Sequence, residues 1–580
     1  MKFFRSQHSG LPLIDRAFAY VHNLRASDRL IFSLALFALF VSAIWSLIIL
    51  NNQVSVSVPA SEGTIAEGIV GTPRFVNPVL AATRADRDLS ALVYSGLARL
   101  GEDGTVVPDI AESITVSADG LVYNVILRPD VFFHDGTSLT SEDVAFTISR
   151  IQDPQIGSPL RASWDSVSVE ILGTHELNFV LSSAYAPFIE NLTVGILPRH
   201  IWKDAGASEF PFSQYNSEPI GSGPYSIREV VRDASGIPKS YVLTPHAEFH
   251  RELPKIQTVV VNFYTNEQNL INAWNERQIN SVAGLSADAI EKLEMTGDKF
   301  TVITTPLPRT FAVFFNQNKS AALRDSAARN ALNTAIDREN LIEQVFDGYA
   351  EPLESPIPPG FGVSSTEVSE IAEDRLETAR TILRNGGWTF NATSGAWEKE
   401  IDGVTTPLTV SISTANATVF GETAEYLRAK WGALGVQVSV KQFEQSDLTQ
   451  AVIRPRDYEA LLFGTVLGRA LDFYSFWHSS QRNDPGLNVA LYANITTDGV
   501  LETARTSTDS EERALAFQQF EEEITKETPA VFLYSPLFTY IIPNTITSTA
   551  FTGIAEPHER FAGITDWYVK EESVWPLFKD

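Results

Sequence analysis

Two histidines spaced four residues apart, His246 and His250, form the pattern closest to a metal site in this chain. On an α-helix this spacing would place both imidazole rings on one face, where they could share a zinc ion. Pro245 and Pro254 flank the pair, however, and proline interrupts helices. The chain also contains no cysteine, which excludes thiolate ligands, disulfides and a cysteine nucleophile. We therefore expect structural or solvent-exposed histidines, and neither a metal nor another cofactor.

Motifs that indicate catalysis are missing from the sequence. There is no G-x-S-x-G elbow, no S-x-x-K dyad, no phosphate-binding P-loop and no H-E-x-x-H helix. The residues therefore give catalysis no identifiable site. A surface hydrolase that uses dispersed carboxylates is the alternative, and it would be recognised by turnover of peptides.

The densest aromatic cluster lies between Phe473 and His478 and includes Tyr474, Phe476 and Trp477. Aromatic side chains in a loop could line a ligand cleft, where they would stack on peptide bonds or side chains. They could equally cover the core of a C-terminal lobe. Both roles stay open, because alternate residues could serve each of them, and we take Tyr474 and Trp477 as candidate ligand contacts.

The clearest structural element is the stretch Val122–Ile151. Its first seven residues are rich in β-branched side chains and alternate as in a strand. His134-Asp135-Gly136-Thr137 has the composition of a turn. Thr140 is a good N-cap, and Asp143 stands at the capping-box spacing that follows it. The stretch predicts a strand, a tight turn and a capped helix.

This stretch also resembles a known family. LRPDVFFHDGTSLTSEDV is similar to the L-R-x-x-V-x-F-H-D-G-x-x-L-T-x-E-D-V passage of the extracellular solute-binding proteins of family 5, which serve oligopeptide, dipeptide and nickel ABC importers. Other motifs of the family follow in order between about Thr64 and Tyr540. They include a predicted helix Asp86–Leu100 with its Y-x-G-L sequence, the G-x-G-P-Y sequence at Gly221–Tyr225, and a predicted A-I-D-R helix within Arg324–Tyr349.

The resemblance and the order of elements imply an α/β protein with a two-lobed periplasmic-binding-protein-like fold of the large peptide-binding type, preceded by one transmembrane helix. The extra α+β subdomain of that type would be inserted in lobe I. We predict a cytoplasmic tail at 1–29, a transmembrane anchor at 30–50, a tether at 51–63, lobe I at 64–99 and 220–310, the inserted subdomain at 100–219, lobe II at 311–528, and a return to lobe I at 529–580.

The resemblance further implies where a solute would be held. The first loop of the fold contains Pro73 and Arg74, and a guanidinium there could hold a carboxylate in a bidentate fork, although a surface salt bridge is the commoner role. Including the aromatic pair, the candidate ligand contacts are Pro73, Arg74, Tyr94, Gly464, Thr465, Val466, Asp472, Tyr474 and Trp477.

The stretch after Gly464 departs from the family. There the family carries G-W-x-x-D, whose aspartate pairs with the free amino terminus of a bound peptide, whereas this chain has Thr465 for the tryptophan and Gly468 for the aspartate. Two explanations remain open. The ligand lacks a free α-amine, or another acid such as Asp472 takes the place of the aspartate.

The first sixty residues indicate export. Leu30–Leu50 contains 21 residues, and its polar residues are three serines. As a helix this segment would span about 32 Å, which is enough to cross a bilayer. Lys and Arg precede this run and none follows until Arg74, so the positive-inside rule places the N-terminus in the cytoplasm. A cleaved signal peptide ending at Val58-Pro59-Ala60 is the alternative. We favour a retained anchor because the apolar run is long.

The charge balance narrows the partners. The 44 basic and 71 acidic residues give a net charge of −27, which argues against nucleic acid and anionic lipid as partners of the main body.

We expect a monomeric, membrane-anchored, extracytoplasmic protein that captures a peptide-like solute between hinged lobes and delivers it to an ABC permease. The alternatives are the same fold holding an oligosaccharide, an opine-like compound or a metal chelate, and a surface chaperone or sensor.

Overall fold

The computed structural model describes residues 25–54, 56–59, 63–101, 104–295, 299–361, 374–548, 553–569 and 571–574. The chain divides into a small unit, Met1–Ala60 with Lys570–Asp580, and a large unit, Ser61–Val569. The predicted cytoplasmic tail lies almost wholly outside the described residues.

The small unit contains the apolar helix and one strand pair. The helix extends over Ala26–Val54, so it begins before the predicted anchor and takes up the start of the predicted tether. Its large apolar residues are exposed, and Ser27–Leu47 has a mean hydropathy of 2.4. The length and composition of this segment suit a membrane span and a signal sequence equally. Val56–Pro59, the next part of the predicted tether, pairs antiparallel with Glu571–Val574.

The large unit is built on one mixed sheet, which contains twelve strands within the described residues. We call the strand Ala530–Pro543 the hinge strand, because both lobes pair with it. The lobe I strands are Thr64–Val70, Tyr225–Arg232, Pro238–Pro245, Thr258–Tyr264, Ser281–Ala283 and Phe300–Pro306. The lobe II strands are Arg309–Phe315, Ala350–Pro352, Thr409–Ala415, Gln437–Phe443 and Ala460–Val466.

The hinge strand carries the chain from lobe II back to lobe I. Its first half pairs with Arg309–Phe315 and its second half with Phe300–Pro306, both antiparallel. Leu307 and Pro308 join those two partner strands, and the Ser535 hydroxyl donates to the Leu307 carbonyl at 2.9 Å. Relative motion of the lobes therefore has to be absorbed at these two crossings, which lie side by side.

Lobe II packs helices on both faces of its sheet. Side chains of Arg309–Phe315 alternate between two cores, so Phe315 packs in the core that contains Trp431 and Phe314 packs in the core that contains Trp477. The major helices are Ser326–Thr334, Arg338–Phe346, Arg375–Asn385, Thr418–Leu434, Ile495–Thr506 and Ser510–Glu527.

The A-I-D-R segment is not the continuous helix that the sequence predicts. Within Arg324–Tyr349 the structure has two helices, Ser326–Thr334 and Arg338–Phe346, and the short helix Ala321–Arg324 ends where the segment begins. Asp325 and Asp337 each cap the helix that follows, with side-chain oxygens that accept from backbone N–H groups. An aspartate at an N-cap has non-helical backbone angles, and this physical requirement ends the preceding helix.

The inserted subdomain confirms the predicted strand, turn and capped helix. The strand is Val122–Leu127, Gly136 has a φ of 84°, and the helix Ser141–Gln152 begins with a capping box between Thr140 and Asp143. The strand lies in a four-stranded antiparallel sheet with Ala111–Val116, Val167–Gly173 and Glu176–Leu181. Its buried side chains belong to the same hydrophobic core as those of lobe I.

One predicted helix is shorter than expected, and the difference shapes the site. The helix Arg84–Val93 ends where Tyr94 becomes extended, and Ala98–Leu100 is a strand paired with Val106–Pro108. Gly96 lies so close to the backbone of Thr193 that an added Cβ would come within 2.5 Å of its carbonyl oxygen. This close approach requires glycine and holds the strand against the subdomain.

A buried ionic cluster fixes the C-terminal segment to lobe I. The Arg560 guanidinium bonds both carboxylate oxygens of Asp88 at 2.8 Å and one oxygen of Glu67 at 2.9 Å. Burial alone would lower the pKa of Arg560, but the two carboxylates outweigh it and raise this pKa. The short helix Pro557–Phe561 is thereby held beside Arg84–Val93, and Glu556 and Glu559 are fixed with it.

Candidate functional site

A cavity of about 490 Å³ lies where lobe II meets lobe I and its subdomain. Lobe II contributes Gly468 and Arg469, and the rest of the lining comes from lobe I, the subdomain and the C-terminal segment. This volume is within the usual range for small-molecule sites. Besides Tyr94, the charged and titratable lining residues are Arg87, Arg99, Asp109, Glu190, Arg251, Arg469, Glu556, His558 and Glu559.

A second cavity of about 390 Å³ adjoins the first on the hinge side. The two share Arg87, Glu556 and His558, and the second is also lined by Leu307 and Leu537 at the crossings between the lobes. Together they form a cleft that extends from the hinge to the subdomain. Lobe rotation about the hinge strand would change the volume of this cleft directly.

Most charges in the cleft already have partners. Asp109 forms an ion pair with Arg251, whose Nε lies 2.8 Å away, and lies 3.0 Å from His250 Nε2, while Arg87 lies 3.3 Å from a Glu556 oxygen. Burial alone would raise the pKa of Asp109, but the His250 hydrogen bond and the Arg251 charge lower it below the usual value. Asp109 is therefore held ionised by the protein itself.

Glu190 is different. Among the described residues nothing donates a hydrogen bond to its carboxylate or forms an ion pair with it, although it lines the cavity. Burial raises the pKa of Glu190 to about 7, with Glu559 adding to the rise and Arg469 and Arg513 opposing it. Arg99 is its cationic counterpart: its Nη1 donates to the Leu100 carbonyl at 3.0 Å, and no carboxylate of the described chain forms an ion pair with it.

Arg469 joins the lobes at the cavity. Its guanidinium donates to the Gly104 carbonyl at 3.0 Å and to the Gly553 carbonyl, and it lies 2.5 Å from a Glu559 oxygen. The side chains of Arg469 and Glu559 are 13% and 22% exposed. This arrangement connects lobe II to the subdomain and to the C-terminal segment through one side chain.

A second contact between the lobes involves two of the predicted site residues, Asp472 and Tyr474. Asp472 lies 3.5 Å from the Tyr185 hydroxyl and 3.7 Å from an Arg505 nitrogen, and the Arg505 guanidinium stacks over the rings of Tyr185 and Tyr474. Burial raises the pKa of Asp472, although Arg505 opposes the rise. Neither predicted residue lines the two cleft cavities described above.

Tyr94 is the predicted site residue that the structure places in the cavity lining. Its ring is 5% exposed, and its hydroxyl has no hydrogen-bond partner among the described residues. Burial raises the pKa of this hydroxyl, so it stays protonated. A buried phenol without a partner can donate to a ligand oxygen in the cavity.

Gly464, Thr465 and Val466 form the end of a lobe II strand beside Arg309–Phe315. Gly464 lies under the Phe311 ring, where an added Cβ would come within 2.5 Å, and the Thr465 hydroxyl donates to the Thr310 carbonyl at 3.4 Å. Their side-chain positions are thus explained by packing. Val466 is 51% exposed at the strand end, and it does not line the cleft cavities described above.

Pro73 and Arg74 lie in the loop before the helix Arg84–Val93. Pro73 is buried, whereas Arg74 is exposed and its guanidinium stacks on the Phe75 ring at 4.8 Å. The Arg74 backbone N–H donates to Asp86 at 2.6 Å. Neither residue lines the described cavities.

Trp477 lies in the lobe II core. It is 3% exposed and packs against Phe314, Tyr492, Phe520 and Phe532 with ring centroids 5.9 to 6.2 Å apart. The segment that holds it is a short helix, Tyr474–Trp477, and not the loop that the aromatic cluster suggests. The sequence leaves two roles open for Trp477, and these contacts show that it packs in the core.

The histidine pair is structural. His250 bonds Asp109, and His246 packs edge-on against the ring of His134 at 4.7 Å between centroids. Both follow the strand Pro238–Pro245 and lie outside any helix. Within the described residues, no group of three histidine or carboxylate side chains is placed to hold a metal ion.

Sequence reasoning missed the residues that carry the charge of the cavity. Glu190, Arg99 and Glu559 lie in segments that carry no motif, and their meeting depends on the packing of three separate parts of the chain. The one available signal was Arg469, which directly follows the Gly468 that replaces the family aspartate.

Comparison with known proteins gives a consistent result. Residues 105–486 match the bacterial extracellular solute-binding proteins, family 5 Middle. The oligopeptide-binding protein AppA of Bacillus subtilis is 27% identical over 493 residues, which cover 82% of this chain and 87% of that protein. The nickel-binding periplasmic protein of Escherichia coli is 26% identical over 399 residues, which cover 67% of this chain and 72% of that protein.

Solved structures agree on the fold. The structure of AppA from Bacillus subtilis in complex with a nonapeptide superimposes with a TM-score of 0.65 at 24% identity, covering 88% of this chain and all of that one. At this level of identity the superposition establishes the architecture.

Proposed function

The chain belongs to the bacterial extracellular solute-binding proteins of family 5, and on this basis we propose that it captures a peptide-like solute between its lobes for an ABC importer. The observation that carries the proposal is the charged cavity that both lobes build. Gly468 and Arg469 of lobe II lie over a pocket of lobe I, and the hinge strand runs through both lobes. A cleft of this kind binds by closing on its ligand.

The chemistry of the cavity suits a peptide better than an uncharged sugar. Among the described residues, the cavity offers a cation at Arg99 and a carboxylate at Glu190 that form no ion pair, and a short peptide carries both complementary charges. A known relative that binds oligopeptides supports the same class of solute.

A non-peptide solute is the second candidate, and one observation favours it. Gly468 removes the carboxylate that would hold a peptide amine, and a relative of similar identity is a nickel-binding protein. A metal chelate or an opine-like compound would use the arginines of the cleft in the same way. A surface chaperone or sensor would instead leave no small solute in the purified protein.

The decisive experiment identifies the natural ligand. The protein is expressed from Asn52 onward, purified without denaturation, then denatured, and the released solutes are identified by mass spectrometry. Recovery of mixed short peptides supports the proposal, whereas a single sugar or chelate overturns it in favour of the second candidate.

We further propose that the apolar helix is retained as a membrane anchor, with the binding unit outside the cytoplasm. The absence of cysteine excludes a lipidated cysteine as the anchor. Cleavage after Ala60 would also remove Val56–Pro59, the strand that pairs with Glu571–Val574. N-terminal sequencing of the mature protein checks this, and a start at Ser61 would contradict it.

A further inference from the structure

We propose that Glu190 binds the protonated amino group of the solute, in place of the lobe II aspartate that Gly468 lacks. The inference rests on the proposed function and makes it specific. It assigns the amine site to a residue of the inserted subdomain and not to one of lobe II. It also selects solutes with a free ammonium group over those without one.

The position of Glu190 is well fixed. It lies in the short helix Phe188–Asn191, whose end is joined to the strand Ala98–Leu100 by the bond from Ala98 N–H to the Leu192 carbonyl at 3.0 Å. The Thr193 hydroxyl donates to the Glu190 carbonyl at 2.7 Å. The backbone is therefore tied on both sides. Glu190 is one of the lining residues of the cavity, and the charges of two others, Arg469 and Glu559, act on its carboxylate.

The other acids that line the cavity are engaged. Asp109 is hydrogen-bonded to His250 and forms an ion pair with Arg251. Glu556 forms an ion pair with Arg87, and Glu559 forms one with Arg469. Asp472, the acid that sequence reasoning suggested, lies beside Arg505. Among the described lining residues, Glu190 is thus the carboxylate still able to accept from a ligand.

A carboxylate removed from water without a partner costs free energy, and this cost is recovered when a cation arrives. Arg469 is already satisfied by Glu559 and two carbonyls, so it does not supply that cation. An ammonium group on the solute would do so by a charge-assisted hydrogen bond. The same group would find no acid at Gly468, where the family has its aspartate.

The inference predicts a pH dependence of binding. The pKa of Glu190 is raised to about 7 by burial, and the charges that face it are Arg469 of lobe II, Glu559 of the C-terminal segment and Arg513 of the helix Ser510–Glu527. An ammonium ligand favours the ionised form of the Glu190 carboxyl group. Where Glu190 is protonated, binding of this ligand therefore requires that the proton be released. Affinity for free-amine solutes therefore falls as the pH decreases below about 7.

The test compares two synthetic libraries of short random peptides without lysine, one with free and one with acetylated α-amines. Binding to the wild-type protein, Glu190→Gln and the control Glu209→Gln is measured by native mass spectrometry. Glu209 is an exposed carboxylate of the same subdomain outside the cavity. Since hydrogen bonds to charged groups contribute about 1.5–3 kcal/mol, wild type should prefer free-amine peptides by about 10- to 100-fold.

We expect Glu190→Gln to lose this preference and Glu209→Gln to keep it. Equal binding of both libraries by wild type, or a preference that survives in Glu190→Gln, would overturn the assignment while leaving peptide binding intact. Binding of neither library would overturn the proposed function, and the amine site with it. Because glutamine has the shape of glutamate and no described residue pairs with the native carboxylate, the variant should fold normally.

Discussion

Replacing Arg469 by alanine tests whether this residue holds the lobes together. The substitution removes two hydrogen bonds to carbonyls of lobe I and an ion pair with Glu559. Each hydrogen bond from a charged donor contributes about 1.5–3 kcal/mol, and partial exposure of the ion pair reduces its share. We therefore expect the contact between the lobes to lose at least about 3 kcal/mol, the lower end for two such bonds, which is roughly a 150-fold shift toward molecules with separated lobes.

The assay measures the distance between the lobes. The chain has no cysteine, so Ala118→Cys and Ser510→Cys introduce two unique sites for spin labels. They flank the point where Gly120 lies against Thr508, a contact between the subdomain and lobe II. Pulsed electron paramagnetic resonance should show a longer and broader distance distribution in Arg469→Ala than in the parent.

Arg454→Ala is the matched control. Arg454 is an exposed arginine whose ion pair with Asp484 lies within lobe II, so its loss should leave the distance distribution unchanged. If Arg469→Ala gives the same distribution as the parent and the control, the reasoning is refuted, and closure depends on the Asp472, Tyr185 and Arg505 contacts instead.

Three further predictions concern stability. Trp477→Ala should lower the free energy of unfolding by about 3–5 kcal/mol, measured by chemical denaturation, because it empties a packed core; a loss below 1 kcal/mol would contradict the core assignment. Arg560→Met should destabilise by about 3–5 kcal/mol, since it leaves Asp88 and Glu67 buried without their partner, and an unchanged melting temperature would argue against the ionic cluster. Folding raises the pKa of Glu190 from its ordinary value of 4.5 to about 7. Protonation of Glu190 therefore contributes its full stabilisation of the folded protein below about pH 4.5, and this stabilisation is lost as the pH rises through 7. Melting temperatures of ligand-free wild type should therefore decline over this range more than those of Glu190→Gln, and parallel curves would exclude the raised pKa.

The fold was largely predictable because its signals are local. The strand, turn and capped helix between Val122 and Ile151 require residues that are close in sequence, and all three elements are observed. Errors arose where a local signal competed with packing. The helix predicted as Asp86–Leu100 ends at Val93 because Gly96 has to approach Thr193, which lies in a distant segment.

The site was much less predictable. Tyr94 lies in the cavity, as the motif suggests, but Trp477 packs in a core, and its aromatic sequence contains nothing that distinguishes the two roles. The charges that line the cavity have the weakest sequence signal of all. An isolated glutamate such as Glu190 looks like any surface residue until its neighbours are known.

The sequence by itself determined the family, its α/β peptide-binding-protein fold and the apolar N-terminal helix, since repeated local motifs and one long apolar run specify them. It also showed that position 468 offers no side-chain carboxylate to an amine, because a missing carboxylate is visible in one dimension. Only the tertiary structure decided which charges meet. Arg469 bonds Gly104, 365 residues away, and Glu559, 90 residues away, and within the described residues no side chain pairs with the carboxylate of Glu190. Electrostatic pairing depends on distances of a few ångströms, and packing of distant segments sets those distances.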